Sequence, residues 1–115
     1  MPVIEEYSFG RMSIDGVVYT KDLIIFPDGR IFSPWWRVQG HSLSAADLSD
    51  LLAMHPEYLI IGTGASGQMR PDAELIQLLE KQEMEFVALP TDKASREYNN
   101  LTGKRKTGAC FHLTC

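Results

Sequence analysis

The chain has 115 residues, of which 44% are hydrophobic and 23% are charged, and its formal net charge is −4. This composition is typical of a folded globular protein and excludes an intrinsically disordered chain. The acidic balance argues against binding to nucleic acid or to an anionic membrane surface, because both interactions need positive charge.

The N-terminal residues, MPVIEEYSFG, contain neither the basic segment nor the apolar segment of an export signal. No apolar stretch reaches the roughly 20 residues that cross a bilayer, so we expect no membrane insertion. Cys110 and Cys115 are expected to be reduced thiols. The sequence therefore predicts a cytoplasmic protein, with one domain over residues 1–115.

The first forty residues are predicted to form three to four antiparallel strands. The stretch EEYSFGRMSI leads to Asp15 and Gly16, a pair that favours a tight type I′ turn because both residues tolerate positive φ. VVYTKDLIIF follows, and Pro27, Asp28 and Gly29 form a second turn before RIFS.

The segment PWWR, residues 34–37, ends this region. Consecutive side chains of a strand point in opposite directions, so one of Trp35 and Trp36 is expected to be exposed. An exposed tryptophan beside Arg37 has the composition of a binding hot spot. The segment is a candidate recognition surface, and the alternative is that both rings pack inside the protein.

Helical and strand patterns alternate in the remainder of the chain. Ser44 and Asp47 have the spacing of a capping box, and the helix that they begin is expected to end at His55, before Pro56. EYLIIG and EFVAL are predicted as buried strands, PDAELIQLLEKQ as a helix, and TGACFHLTC as the closing strand. A third helix, capped by Thr91, precedes that strand. The order is a β-meander and then α-β-α-β-α-β, which predicts an α/β fold with parallel strands covered by helices.

LIIGTGASGQMRP, residues 59–71, contains Gly62, Gly64 and Gly67 in the G-x-G-x-x-G spacing of a dinucleotide-binding loop. The context does not fit, because Pro71 delays the following helix. Too few residues follow Gly67 for the second half of a dinucleotide-binding fold. We therefore expect no cofactor.

Two interpretations of the glycine loop remain. One is a tight connection between a strand and a helix, without a ligand. The other is an anion site in which the amides of Thr63, Gly64 and Ser66 donate hydrogen bonds, with Arg70 or Arg37 supplying positive charge.

Alternation along the closing strand predicts two faces. One face would carry Cys110, His112 and Thr114, and the other Ala109, Phe111, Leu113 and Cys115. Cys110 and His112 are the residue types of a thiol nucleophile with its base, or of half a metal site. Same-face neighbours of a strand lie about 6.5–7 Å apart, however, so a buried thiol and a hydrogen-bonded histidine are favoured. No metal site is predicted, because His41 and His55 lie far from His112 without a ligand spacing.

Five segments together resemble the Mth-domain family of unknown function, and the resemblance covers nearly the whole chain. They are YTKD at 19–22, PWWRVQGH at 34–41, LIIGTG at 59–64, TDKASREYNNL at 91–101 and GACFHLTC at 108–115. The family includes a mammalian protein associated with adipogenesis and, more distantly, a mitochondrial complex I assembly factor. The resemblance implies a three-layer α/β fold with a mixed sheet and no established enzymatic activity.

The resemblance also implies a shared surface or pocket. The positions that the family frequently matches are Trp36, Arg37, His41, Gly62, Thr63, Gly64, Tyr98 and Asn99. The family often has glycine where this chain has Glu83, and a left-handed conformation at that position would strain Glu83.

We predict a non-enzymatic domain that acts through a protein partner, in the manner of an assembly or regulatory factor. Its working surface would combine Trp35, Trp36 and Arg37 with the glycine loop. The alternatives are a small-molecule or anion-binding protein, with or without catalysis, that uses the Gly62–Gly64 loop and Arg37, and, less favoured, a thiol enzyme using Cys110 and His112.

Overall fold

The computed structural model describes residues 1–115, and its helices and main strands follow the predicted order, with two additional short strands at Ser42–Leu43 and Arg70–Pro71. The strands are β1 (Ile4–Ser8), β2 (Arg11–Ile14), β3 (Val17–Tyr19), β4 (Leu23–Ile25), β5 (Ile31–Phe32), β6 (Ser42–Leu43), β7 (Tyr58–Gly62), β8 (Arg70–Pro71), β9 (Glu85–Leu89) and β10 (Thr107–Phe111). The helices are α1 (Ser49–Ala53), α2 (Ala73–Lys81) and α3 (Thr91–Leu101), and a 3₁₀ turn at Ala46–Leu48 precedes α1.

A five-stranded mixed sheet in the order β5-β4-β10-β7-β9 forms the middle layer. β10, β7 and β9 are parallel, whereas β4 pairs antiparallel with both β10 and β5. β1, β2 and β3 form a separate antiparallel sheet, and β6 and β8 form a short parallel pair. The closing strand of the chain is therefore the central strand of the main sheet.

Each face of the main sheet carries its own hydrophobic core. Leu51 of α1 and Leu79 of α2 pack with Cys110 on one face. Tyr98 of α3 and Phe111 of β10 pack with β1 and β2 on the other face. Burial of side chains of this size stabilises the fold by about 1.5–3 kcal/mol each, relative to exposure. The sheet lies between these cores, which confirms the predicted three-layer α/β fold.

The N-terminal region contains more strands than the sequence predicted. EEYSFGRMSI turns at Gly10, which separates β1 from β2, and VVYTKDLIIF divides into β3 and β4, which belong to different sheets. The Asp15 and Gly16 turn is confirmed, with φ values of 49° and 81°. The break between β3 and β4 leaves Asp22 directly before the main sheet.

The first helix is shorter than predicted, and Ser44 does not cap it, because α1 begins at Ser49 after the 3₁₀ turn and neither element has a side-chain cap. The Asp47 carboxylate accepts a hydrogen bond of 2.9 Å from the Ser44 amide, which is the reciprocal half of a capping box. His55 lies outside the helix, exposed and at φ 49°, because Pro56 excludes helical geometry at the residue before it.

Two further predictions in the second half are wrong. β9 is the edge strand of the sheet, so it is only partly covered instead of buried. Thr91 is the first residue of α3 and Pro90 precedes it, so its hydroxyl does not cap the helix. That hydroxyl accepts a hydrogen bond from the Gly64 amide and donates one to the His112 carbonyl.

Glu83 has a φ of 55°, so this residue adopts the left-handed conformation that would strain it. Replacing Glu83 with glycine is expected to raise the free energy of unfolding by about 0.5–1 kcal/mol, since relief of left-handed strain exceeds the added chain entropy of glycine. Urea denaturation measures the change. Glu80→Gly in α2 is the matched control and should lower stability by about 0.5–1 kcal/mol. A Glu83→Gly protein no more stable than the wild type would contradict the assignment of strain.

Candidate functional site

The register of the main sheet brings Asp22 and His112 together. Phe111 of β10 pairs with Leu23 of β4, so the residue after Phe111 lies opposite the residue before Leu23. The Asp22 Oδ2 atom lies 2.8 Å from Nδ1 of His112, and Oδ1 accepts a hydrogen bond of 2.7 Å from the Leu113 amide. The end of the central strand is thereby tied to the start of its neighbour.

Arg37 completes a buried network with these two residues. Its Nη1 lies 2.7 Å from Asp22 Oδ2, and its side chain is only 5% exposed. Nη2 donates to the Gly40 carbonyl at 2.9 Å, and the guanidinium lies over the Trp35 ring, 4.9 Å from its centroid. Arg37 is therefore engaged on all sides and is not free to contact an anion, which corrects the role predicted for it in the glycine-loop pocket.

The hydrogen-bond partners assign the tautomer of His112. Nδ1 of the ring lies 2.8 Å from Asp22 Oδ2 and 3.0 Å from Arg37 Nη2. A carboxylate has only acceptors, so Nδ1 carries a hydrogen and donates it to Asp22, and Arg37 Nη2, which has only donors, donates to the Gly40 carbonyl. In the neutral ring, the other nitrogen, Nε2, then carries a lone pair. This atom is buried and has no hydrogen-bond partner.

Asp22 is ionised in this environment. Burial by itself raises the pKa of the Asp22 carboxyl, but hydrogen bonds from His112, the Leu113 amide and Arg37 outweigh that effect and hold the pKa below its usual value. The carboxylate therefore balances the buried charge of Arg37.

The glycines of the predicted loop allow close packing against the end of the chain. A Cβ at Gly62 would lie 2.5 Å from the Phe111 ring, and one at Gly64, where φ is 106°, would collide with the Cys115 backbone. The Ala65 amide donates to the Thr114 carbonyl at 2.6 Å. These contacts explain why glycine is required at positions 62 and 64 without any bound nucleotide.

The predicted anion-binding nest is wrong for two of its three amides. The Thr63 amide donates to Leu89 at 2.8 Å, and the Gly64 amide donates to Thr91 at 2.9 Å. Both are therefore satisfied within the protein. Ser66 is exposed, and its amide forms no intramolecular hydrogen bond.

Ser66 and Arg70 instead line an open cleft of about 540 Å³. The cleft is also bordered by Thr63 and Pro90, which follow β7 and β9 directly. It lies at the carboxyl ends of two parallel strands, where α/β sheets commonly bind ligands.

The two tryptophans differ as predicted. Trp35 is buried, and its Nε1 donates to the Asp47 carbonyl at 3.0 Å. Trp36 is 73% exposed. His41 is exposed as well, and its ring lies beside that of His112, with 6.1 Å between the centroids.

Tyr98 and Asn99 do not contact Arg37, His41 or His112. Tyr98 is fully buried against Phe111 in the core under α3. The Asn99 side chain accepts a hydrogen bond of 2.9 Å from the Ile4 amide and donates one of 2.7 Å to the Ile4 carbonyl. Both residues dock β1 on α3, which is a structural role.

The two cysteines have different environments. Cys110 is fully buried, and burial raises the pKa of its thiol, which disfavours a nucleophilic thiolate. Cys115 does not share a face with Phe111 as predicted. The strand ends at Phe111, and the chain then turns so that Cys115 lies close to His41 and His112.

Sequence reasoning missed Asp22 and the position of Cys115. Asp22 had a signal, because a carboxylate directly precedes the apolar run LIIF within the YTKD segment. Cys115 had none, since its position depends on where β10 ends.

Removal of the Asp22 charge tests the network. Asp22→Asn is expected to lower the free energy of unfolding by about 3 kcal/mol, because Arg37 would remain buried without a counter-charge. Asp28→Asn breaks the exposed pair with Arg30 and should leave stability nearly unchanged. Chemical denaturation compares the two variants. Equal, small effects would show that the buried network contributes little.

No helix of the structure is both long enough and apolar enough to cross a membrane. Solved structures of three other proteins share the fold. The conserved hypothetical protein PH1505 from Pyrococcus horikoshii OT3 is 31% identical, with a TM-score of 0.84 over 97% of this chain and 98% of that chain. A structure described as MT938 is 24% identical, with a TM-score of 0.83 over 100% of both chains. A Bordetella pertussis protein described as an Mth938-like domain is 21% identical, with a TM-score of 0.68 over 97% of this chain and 85% of that chain.

The family described as "Protein of unknown function (DUF498/DUF598)" matches residues 4–112. This match spans most of the chain and agrees with the shared fold of the Mth938-like structures. The chain therefore belongs to the DUF498/DUF598 family, and the resemblance to an Mth-domain family of unknown function is confirmed.

Proposed function

We propose that this protein is a non-enzymatic domain that binds a protein partner through the segment Trp36–Val38, in the manner of an assembly or regulatory factor. The observation that carries the proposal is the alternation of three consecutive side chains. The side chain of Arg37 is 5% exposed, whereas the residues Trp36 and Val38 on either side are 73% and 85% exposed.

The anchoring of Arg37 supports a preformed binding surface. Because its guanidinium is held by Asp22 and by the Gly40 carbonyl, the flanking side chains are directed outwards. The Val38 amide also donates to the Asp47 carboxylate at 3.1 Å. A segment fixed in this way loses less conformational entropy when it binds than a mobile loop does.

The chemistry of the exposed pair favours a protein as the occupant. Tryptophan is among the residues most enriched in binding hot spots, since its large ring removes much apolar surface from water. The segment presents an aromatic and an aliphatic side chain without a free charge, which suits an apolar protein surface better than a phosphate or a nucleic acid.

Site-specific photo-crosslinking in cells of the source organism tests the proposal. A photoreactive phenylalanine analogue at position 38 is expected to give a discrete protein adduct, because that position would lie in the interface. The same adduct should disappear when Trp36→Ala is introduced into that chain. Phe9, which is 66% exposed at the turn after β1, is the matched control position and should not give this adduct.

An absence of adducts at position 38 would contradict the proposal. An adduct that forms equally at position 9, or that survives Trp36→Ala, would also contradict it. Circular dichroism checks that the Trp36→Ala chain is folded, as expected for a substitution at an exposed site.

A second candidate function, binding of a small anion, is favoured by the cleft at the carboxyl ends of β7 and β9. Arg70 replaces Arg37 as the source of charge, and Ser66 offers a free amide and a hydroxyl. Inorganic phosphate, nucleotides and carboxylates at millimolar concentration should raise the melting temperature of the wild type, but not that of Arg70→Gln. The absence of any shift in the wild type would exclude this function.

A further inference from the structure

Three metal-ligating side chains converge beyond the end of β10. They are His41, His112 and Cys115, and their ligand atoms all lie within 4.8 Å of one another. We propose that these three residues bind a Zn²⁺ ion. This site is separate from the Trp36–Val38 surface and from the cleft beside Ser66.

The state of His112 is the observation that points to a ligand. The residue is only 6% exposed, and its buried Nε2 has no hydrogen-bond partner in the protein. An unpaired buried nitrogen costs desolvation free energy that a metal ion would recover. Because Nδ1–H donates to Asp22, Nε2 presents the lone pair that coordination requires.

Asp22 lies where a carboxylate would orient a metal-bound histidine. In protein zinc sites, a ligating histidine commonly donates its other ring N–H to a carboxylate, which fixes the orientation and tautomer of the ring. The hydrogen bond of 2.8 Å between His112 Nδ1 and Asp22 Oδ2 has this arrangement. Asp22 also balances Arg37, so the guanidinium does not leave a net positive charge beside the site.

The backbones of the other two ligands are fixed by hydrogen bonds. The Gly40 carbonyl, directly before His41, accepts from Arg37, and the His41 carbonyl accepts from the Arg70 amide at 3.0 Å. On the other side, the Cys115 carbonyl accepts from the Gln68 amide at 3.1 Å. The glycine loop thus holds Cys115 in place, and this gives the loop a part in the site.

Small side-chain rotations would complete the coordination. Ligand atoms around a tetrahedral zinc ion lie roughly 3.3–3.7 Å apart. The ring of His41 is exposed and the side chain of Cys115 is half-buried, so both are free to move toward the fixed Nε2 of His112. To reach the tetrahedral spacing, the ligand atoms of His41 and Cys115 would need to move by about 1 Å.

The ligand set favours zinc and leaves a coordination position open. Two imidazoles and one thiolate suit Zn²⁺, and they exclude Mg²⁺ and Ca²⁺, which prefer oxygen ligands. On binding, Cys115 would release its thiol proton to solvent and form a Zn–S bond. Three protein ligands leave the fourth position for water or for an atom of another molecule.

Titration of the full chain with metal tests the site. The protein is expected to take up one equivalent of Zn²⁺ in competition with a chromophoric chelator. Co²⁺, used as a spectroscopic probe, should give a thiolate charge-transfer band in the near ultraviolet. His41→Ala and Cys115→Ser should each weaken Zn²⁺ binding at least about tenfold, and the Co²⁺ thiolate band should be absent from Cys115→Ser. Both substitutions lie outside the buried core, so the variants are expected to fold.

His55→Ala is the matched control, because it removes an exposed histidine outside the cluster. It should bind Zn²⁺ like the wild type, as should Trp36→Ala. Histidine-ring NMR spectra should show a shift of His112 Nε2 on addition of Zn²⁺. The proposal is overturned if one equivalent of Zn²⁺ does not bind, if His55→Ala weakens binding as much as His41→Ala, or if Co²⁺ gives no thiolate band.

Discussion

The buried carboxylate of Asp22 is the group on which the arrangement at the end of the central strand depends. It receives hydrogen bonds from His112, the Leu113 amide and Arg37. These partners come from segments that are far apart in the chain, so one side chain joins the start of β4, the Trp-Arg segment and the end of β10. A buried arginine is tolerable only with a counter-charge and satisfied donors, and Asp22 provides the counter-charge.

The G-x-G-x-x-G spacing of the glycine loop has a different physical role here than in a dinucleotide-binding fold. In a dinucleotide-binding fold, such glycines let the backbone approach a pyrophosphate. Here Gly62 lets the loop approach the Phe111 ring, and Gly64 lets it approach the Cys115 backbone. Because the Thr63 and Gly64 amides already donate to protein acceptors, the loop has few donors left for an anion.

A single anchor supports two distinct surfaces. The side chain of Arg37 points inward, so Trp36 and Val38 point outward into solvent. The same guanidinium holds the Gly40 carbonyl, which positions His41 next to His112. The proposed partner surface and the proposed zinc site therefore share their support without sharing a contact residue. Loss of the Arg37 side chain would disturb both the partner surface and the zinc site. Substitutions at the exposed residues of one would leave the other intact.

The sequence by itself determined the features that depend on neighbouring residues. The order of the helices and main strands, the turn at Asp15 and the opposite orientations of Trp35 and Trp36 all follow from local conformational preferences and strand alternation. These signals lie within a few residues of the feature that they predict, so no tertiary information is needed.

Only the tertiary structure decided which distant groups meet. Strand order made β9 an edge strand, and the pairing of β4 with β10 set Asp22 against His112, a contact across 90 positions of the chain. Because β10 ends at Phe111, Cys115 does not lie on the strand face predicted for it but close to His41. Such contacts depend on sheet register and on competition for backbone hydrogen bonds, which no local pattern encodes.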